Sequence, residues 1–248
     1  MTRTFVPLVS CVALYKAFGA KQVLRGLDLD VRRGETLVIL GGSGSGKSVL
    51  LKHMNGLLRP DRGEVLVAGE NIAQLAEVDL GPIRRKVGML FQMAALFDSM
   101  SVLDNVAYPI REAGQVSESK IRERVDQLLE VVGLRDAALL MPAELSGGMR
   151  KRAGLARALA LEPEVMLYDE PTTGLDPVVA QKINVLIRDL QQRLGLSGVV
   201  VTHDLHCAFH VADRIAFLHD GRIAFVGTPE ETRRSSQPIL REFLDAAA

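Results

Sequence analysis

Apolar residues fall along this chain in three patterns. Thr36-Leu37-Val38-Ile39-Leu40, Val87-Gly88-Met89-Leu90-Phe91, Val165-Met166-Leu167-Tyr168 and Val199-Val200-Val201-Thr202 are short unbroken runs. Their length suits strands, and with no polar side they predict strands covered on both faces of a sheet. From about residue 8 to 31 apolar and polar residues alternate instead, most cleanly in Leu27-Asp28-Leu29-Asp30-Val31. That period predicts antiparallel strand with one wet face. Gly63-Glu64-Val65-Leu66-Val67-Ala68-Gly69 is a further strand bounded by glycines, and Arg214 to Val226 predicts a hairpin turning at Asp220-Gly221.

The third pattern is helical. Ile121, Val125, Leu128, Leu129 and Val132 share one stripe, with Ser117 as cap and Gly133 as stop. Ser101 or Asp104 caps a preceding helix that carries Val106. Pro177 to Leu194 is helical with Asp176 as N-cap, and Thr228-Pro229-Glu230-Glu231 has the form of a capping box. Asn71 to Lys86 predicts a short helix ending in Arg84-Arg85-Lys86, a solvated face. The whole stretch 93–160 is expected to be helical, inserted into a chain otherwise rich in strands. Within it, Met93 to Met100 follows neither period, and Leu96, Phe97 and Met100 are expected near the surface, as core or as a docking patch for an apolar partner. The expected class is α/β, with an antiparallel β subdomain and an inserted α-helical subdomain.

Composition narrows the setting. The 248 residues are 48% apolar, enough for a sizeable core. Thirty Lys and Arg balance thirty Asp and Glu, so no global field draws in nucleic acid or anionic lipid. The two cysteines, Cys11 and Cys207, suit reduced thiols better than a disulfide framework. No apolar run approaches the roughly 18 residues of a membrane span. Pro7 and Ser10 interrupt the first apolar stretch, against a signal peptide. Work at a membrane would therefore require docking onto another subunit.

The strongest chemical signal is Gly41-Gly42-Ser43-Gly44-Ser45-Gly46-Lys47-Ser48, set between a strand and a helix. Glycines let the backbone curl so that several N–H groups face one anion, and the helix that follows adds its positive end. Lys47 would reach the β- and γ-phosphates of a nucleotide, and the Ser48 hydroxyl would hold Mg²⁺. The other buried strands also end in polar residues: Gln92, Asp169-Glu170 and His203. In an open α/β sheet, ligands gather beyond the carboxyl ends of strands, so all four converge on one nucleotide. Asp169 and Glu170 are adjacent on a strand end and point different ways. Asp169 is assigned to the metal and Glu170 to the attacking water. His203 is placed to donate to a γ-phosphate oxygen, and Gln92 to bridge Mg²⁺ and water through its amide. Phe18, in a turn between strands, is either core or a face on which an adenine stacks.

Leu145-Ser146-Gly147-Gly148-Met149 marks a second anion-binding helix end, with Ser146 as N-cap. It lies in the helical insert, away from the first loop. One nucleotide has little use for two such ends at a distance on one monomer. Two monomers placed head to tail would use both, each covering the other's ATP.

These motifs, with Gly174-Leu175-Asp176, stand in the order found in ATP-binding cassette (ABC) ATPases, and the resemblance covers nearly the whole chain. It implies a P-loop NTPase with a RecA-like core in a single domain spanning 1–248. Residues 1–92 and 161–248 would form the nucleotide-binding core with its β subdomain, and 93–160 the helical subdomain. It makes Gly41 to Ser48 the Walker A loop, Val165 to Glu170 the Walker B strand and Phe18 the adenine-stacking aromatic. Ser146, Gly147 and Gly148 become signature residues at the partner's ATP, and Asp176 part of the loop linking the two sites. The family signature usually ends in Gln; Met149 removes a side-chain hydrogen bond to ribose and leaves the phosphate contacts possible.

A narrower resemblance, to the ATPases of Mla (maintenance of lipid asymmetry) phospholipid transporters, rests on four stretches. They are Met89-Leu90-Phe91-Gln92 with Ala95-Leu96-Phe97, Asp104 to Pro109, Met141 to Met149, and Leu240-Arg241-Glu242-Phe243-Leu244-Asp245. It implies an ATPase on the cytoplasmic face of the bacterial inner membrane, working with a permease, an MCE-domain lipid-binding subunit and a small STAS-type subunit. The rival expectations are a transporter ATPase for another substrate and a soluble ABC protein acting on ribosomes or DNA. Soluble members usually carry two cassettes or a long coiled-coil insertion, and this chain has one cassette and no heptad run.

Overall fold

The computed structural model describes residues 6–114 and 116–246, and among these ten strands form two sheets. Residues 1–5 and 247–248, the edges of the expected 1–248 domain, lie outside the described residues, as does Gln115. So does the start of the stretch considered for a signal peptide.

Strands β1 (Val9–Phe18), β2 (Lys21–Val31), β4 (Arg62–Val67) and β5 (Glu70–Asn71) form an antiparallel sheet in the order β2-β1-β4-β5. In β2, Leu27, Leu29 and Val31 are buried while Asp28 and Asp30 face water, as the alternation required. The larger sheet contains β3 (Thr36–Leu40), β6 (Val87–Leu90), β7 (Val165–Asp169), β8 (Ser197–Thr202), β9 (Arg214–His219) and β10 (Arg222–Gly227). Its order is β10-β9-β3-β8-β7-β6. All its pairings are parallel except β9 with β10. That pair is the expected hairpin, and Asp220 and Gly221 both take positive φ, 47° and 72°, as its two-residue turn demands.

The unbroken apolar runs are explained by two cores, one on each face of this sheet. Leu37, Ile39, Val165, Leu167, Val199 and Val201 face helix α1 (Lys47–Met54) and the antiparallel sheet. Val38, Leu40, Met166, Tyr168 and Val200 face the other way. There they meet α3 (Val102–Ala113), α4 (Glu118–Val131), α5 (Gly147–Ala158), α6 (Pro177–Leu194), α7 (Leu205–Val211) and α9 (Pro238–Ala246). The remaining helices are α2 (Leu80–Lys86) and α8 (Pro229–Arg234), the latter opened by the expected capping box on Thr228 and Glu231. Among the described residues no helix is long and apolar enough to cross a membrane. Cys11 and Cys207 are both buried free thiols.

Two local expectations need correction, and one pair of alternatives is decided. Asn71 to Lys86 is not one helix. Asn71 caps a 3₁₀ turn, a second 3₁₀ turn follows, and α2 begins only at Leu80. Pro82 lies in the first turn of α2, where a missing N–H costs nothing, and so favours that late start. Ser101, not Asp104, caps α3: its hydroxyl accepts from Asp104 N at 3.1 Å. In the stretch after Gln92, Phe97 is exposed, but Leu96 and Met100 are half-buried, and Leu96 packs on the core. Met93, at the start of the stretch, is 84% exposed.

Helix α5 lies unusually close to β6. A Cβ on Gly88 would come 2.6 Å from the Ala158 carbonyl oxygen and 2.4 Å from Met166 Sδ. Gly88→Ala is expected to lower stability by about 1–3 kcal/mol through overpacking at this contact. Urea denaturation of the two proteins under identical conditions checks the value.

Candidate functional site

Parallel pairing brings the strand ends to one edge. Leu40 pairs with Thr202, Val201 with Asp169, and Tyr168 with Leu90. The four polar ends predicted from sequence therefore meet beside a cleft of ≈520 Å³. Its polar wall holds Gly42, Ser43, Gly44, Lys47 and Ser48 from the glycine loop, with Gln92, Glu170 and His203. Phe243 and Ala246 of α9 close its apolar side.

The loop turns into α1 through Gly46, the helix N-cap, at φ 107°. A side chain is strained there, so the glycine is required by the backbone and not only by the ligand. Lys47 is 6% exposed and its ammonium is held on three sides. Nζ donates to the Gly41 and Gly42 carbonyls at 2.9 and 3.0 Å and lies 3.5 Å from Glu170 Oε1. Ser45 Oγ is buried with no hydrogen-bond partner. A loop with an unused buried donor, a cation and a helix N-terminus fits a phosphate chain.

Asp169 is the last residue of β7 and Glu170 lies just beyond it, and their side chains have different partners. Asp169 Oδ1 accepts from Ser48 Oγ at 2.7 Å. These two oxygen donors, one anionic, are the hard ligands that Mg²⁺ prefers, and they fit the ion. Glu170 is 8% exposed and takes φ 48°, the left-handed region. Its Oε1 accepts from His203 Nδ1 at 3.0 Å, and its Oε2 from Thr173 and Thr202 hydroxyls at 3.1 and 3.3 Å. Since a carboxylate only accepts, this contact places a proton on Nδ1. His203 Nε2 then donates to an incoming phosphate only as the imidazolium, or after the ring leaves Glu170.

A second groove, ≈310 Å³, is lined by Phe18, Lys21 and Val23 and shares Gly44, Lys47 and Ser48 with the first. Phe18 is 49% exposed, with Lys16 Nζ 5.5 Å from its ring centre. An available aromatic face thus sits beside the phosphate loop.

Ser146 caps α5, accepting from Met149 N at 3.3 Å, with Gly147 and Gly148 in the first turn. Asp176 caps α6, accepting from Val178 and Val179 N at 3.1 and 3.0 Å. Among the described residues none of Ser146, Gly147, Gly148 and Asp176 lines the phosphate cleft of its own chain. Gly147 borders a separate cleft of ≈140 Å³ together with Gln92, Lys151 and Leu175.

Sequence reasoning missed Thr173, Phe243 and Lys151. Lys151 is 5% exposed, and burial lowers its pKa to about 8, with Asp169 and Glu170 pulling the other way. One signal was available: Lys151 lies three residues after Gly148 and four before Leu155, on the buried stripe of α5.

Comparison with known proteins agrees with this geometry. A family description, "ABC transporter", matches residues 24–173. The chain is 43% identical to the intermembrane phospholipid transport system ATP-binding protein MlaF of Escherichia coli K12, over 93% of this chain and 86% of that one. It is also 43% identical to the probable ribonucleotide transport ATP-binding protein mkl of Mycobacterium leprae, over 94% of this chain and 67% of that one. Among solved structures, the ATP-binding cassette MJ0796, a dimer in a post-hydrolysis state bound to ADP and Pi, superposes with a TM-score of 0.82. It is 34% identical, and the match covers 89% of this chain and 98% of that one. With its two-sheet α/β architecture, its glycine loop and its converging strand ends, the chain belongs to the ABC transporter family, as an ATP-binding cassette.

Proposed function

We propose that this chain hydrolyses ATP as the energy-supplying subunit of an Mla-type phospholipid transporter at the cytoplasmic face of a bacterial inner membrane. The observation that carries the hydrolytic part is the setting of Glu170, which accepts from three donors and has Lys47 3.5 Å away, on the wall of the cleft that the glycine loop lines. Phe18 stacks the adenine, and the residues from Gly41 to Ser48 hold the phosphates. Ser48, Asp169 and Gln92 would hold Mg²⁺, which when bound neutralises phosphate charge. Glu170 takes a proton from the water whose oxygen attacks the γ-phosphorus. The bond to the bridging oxygen breaks, ADP carries off that oxygen, and inorganic phosphate forms. Glu170 then returns its proton to solvent. Lys47 and His203 meet the charge that builds on the γ-phosphoryl oxygens.

Ser146, Gly147 and Gly148 do not line their own chain's cleft, so we assign them to the ATP of a second copy arranged head to tail. Asp176 then communicates between the two sites. Residues 93–160 act as a helical subdomain, with 1–92 and 161–248 as the core. The exposed Met93 and Phe97 receive a membrane permease, whose contact converts dimer closure into movement. An MCE-domain lipid-binding subunit and a small STAS-type subunit complete the assembly, and no nucleic acid takes part. The phospholipid assignment is supported by 43% identity to MlaF over most of both chains.

The test is purification of the tagged chain from membranes in mild detergent, with identification of the bound proteins and lipids. A permease and phospholipid are expected. Recovery with ribosomes or DNA, or with a permease that carries no lipid, would replace this reading by a soluble or differently loaded ABC system.

A further inference from the structure

The loop that follows β6 is held by helix α5 through its backbone. Lys151 Nζ donates to the Gln92 carbonyl at 2.5 Å. Arg157 donates to the Ala94 and Ala95 carbonyls at 3.0 and 2.6 Å. Ala94 and Ala95 take positive φ, 60° and 50°, a conformation that needs such outside support. Gly154 permits the close approach: a Cβ there would meet Ala94 Cβ at 3.0 Å. The loop therefore moves with α5 or loses these bonds.

Lys151 does one thing that Arg157 does not. Its ammonium also donates to the backbone carbonyl of Glu170 at 3.0 Å. Glu170 is itself in the left-handed region, with its amide fixed to the Val201 carbonyl at 2.9 Å. A single buried cation thus ties the Gln92 backbone, the Glu170 backbone and the helix that begins with Ser146-Gly147-Gly148. The other basic side chains near the start of α5 bond elsewhere: Arg150 to the Leu145 carbonyl, and Arg152 to those of Val132 and Gly133.

We infer that Lys151 is a positioning residue for hydrolysis, fixing Glu170 relative to the Gln92 loop so that a shift of α5 reaches both at once. This rests on the hydrolytic role proposed for Glu170. Lys151 does not line the phosphate cleft, so its contribution falls on turnover and not on nucleotide affinity. Of its neighbours on α5, Arg152 serves as the control, because it holds carbonyls of the helical region and touches neither Gln92 nor Glu170.

The experiment compares wild type, Lys151→Met, Lys151→Gln and Arg152→Met as full chains. ATP affinity is measured with Mg²⁺, followed by single-turnover hydrolysis and amide hydrogen exchange. Lys151→Met is expected to lower the hydrolysis rate at least about tenfold with ATP affinity within about twofold. Exchange should rise together around Gln92 and Glu170. Lys151→Gln keeps two N–H donors and is expected to recover part of the rate, while Arg152→Met stays near wild type. In a Glu170→Gln background, Lys151→Met should add little, because both act through one group. If Lys151→Met does not fold, Lys151→Gln carries the comparison. A normal rate in the Lys151 variants, or equal losses in Lys151→Met and Arg152→Met, overturns the inference. Absence of hydrolysis in wild type would instead overturn the role of Glu170 on which it rests.

Discussion

Glu170→Gln is expected to lower ATP turnover by about 10²–10⁴-fold, the range for removing a positioned general base. Binding should survive, because the substitution preserves shape and the site can absorb the amide. Glu170 receives His203 and Lys47 on Oε1 and two threonine hydroxyls on Oε2. A glutamine oxygen at the Oε1 position keeps the two ring and ammonium donors. The new NH₂ then faces Thr173 and Thr202, whose hydroxyls accept as readily as they donate. What disappears is the ability to take a proton. The closed, ATP-loaded pair should accumulate, visible as a dimer by size-exclusion chromatography and as a burst of bound, uncleaved nucleotide. A turnover within a few-fold of wild type would mean that another group handles the proton.

Lys47→Ala is expected to act at the earlier step. The ammonium offers charge-assisted hydrogen bonds to phosphate, each worth about 1.5–3 kcal/mol. Loss of two corresponds to roughly 10²–10⁴-fold weaker ATP binding at 1.4 kcal/mol per tenfold. The free protein also suffers. The Gly41 and Gly42 carbonyls lose their donor, and Glu170 loses the cation 3.5 Å away. Breaking a buried pair from one side costs about 3–5 kcal/mol in general, and the remaining donors on Glu170 reduce that here. Calorimetric titration with Mg-ATP, paired with a melting curve, separates the two effects. Unchanged affinity would remove Lys47 from the phosphate site.

Much of this was written in local pattern. Buried strands announced themselves because both faces of the large sheet are covered, so each run is apolar without interruption. The converging site was legible for the same reason, since polar residues at the ends of such runs have one common edge to occupy. Helix caps at Ser101, Ser146 and Asp176 are short-range features that sequence carries well. Contacts made across the fold were hidden. Lys151 looks like one more basic residue in a cationic run until α5 is laid against β6. Phe243 joins the cleft from the other end of the chain, and nothing near it in sequence forecasts that. Asn71 to Lys86 failed because weak local signals, with Gly81 and Pro82 among them, left tertiary packing to decide.

The pleat of β7 has a consequence for how this strand can vary. Asp169, the last residue of the strand, follows the odd-numbered Val165 and Leu167 toward α1, where it meets Ser48, whereas Glu170 lies just past the strand with φ 48°. Two acids of nearly equal chemistry are separated by the pleat at Asp169 and by the left-handed turn of the chain at Glu170. Gaining or losing a single residue within the strand would turn the Asp169 position to the other face, away from Ser48. Tolerated changes in strand length should therefore come in even steps.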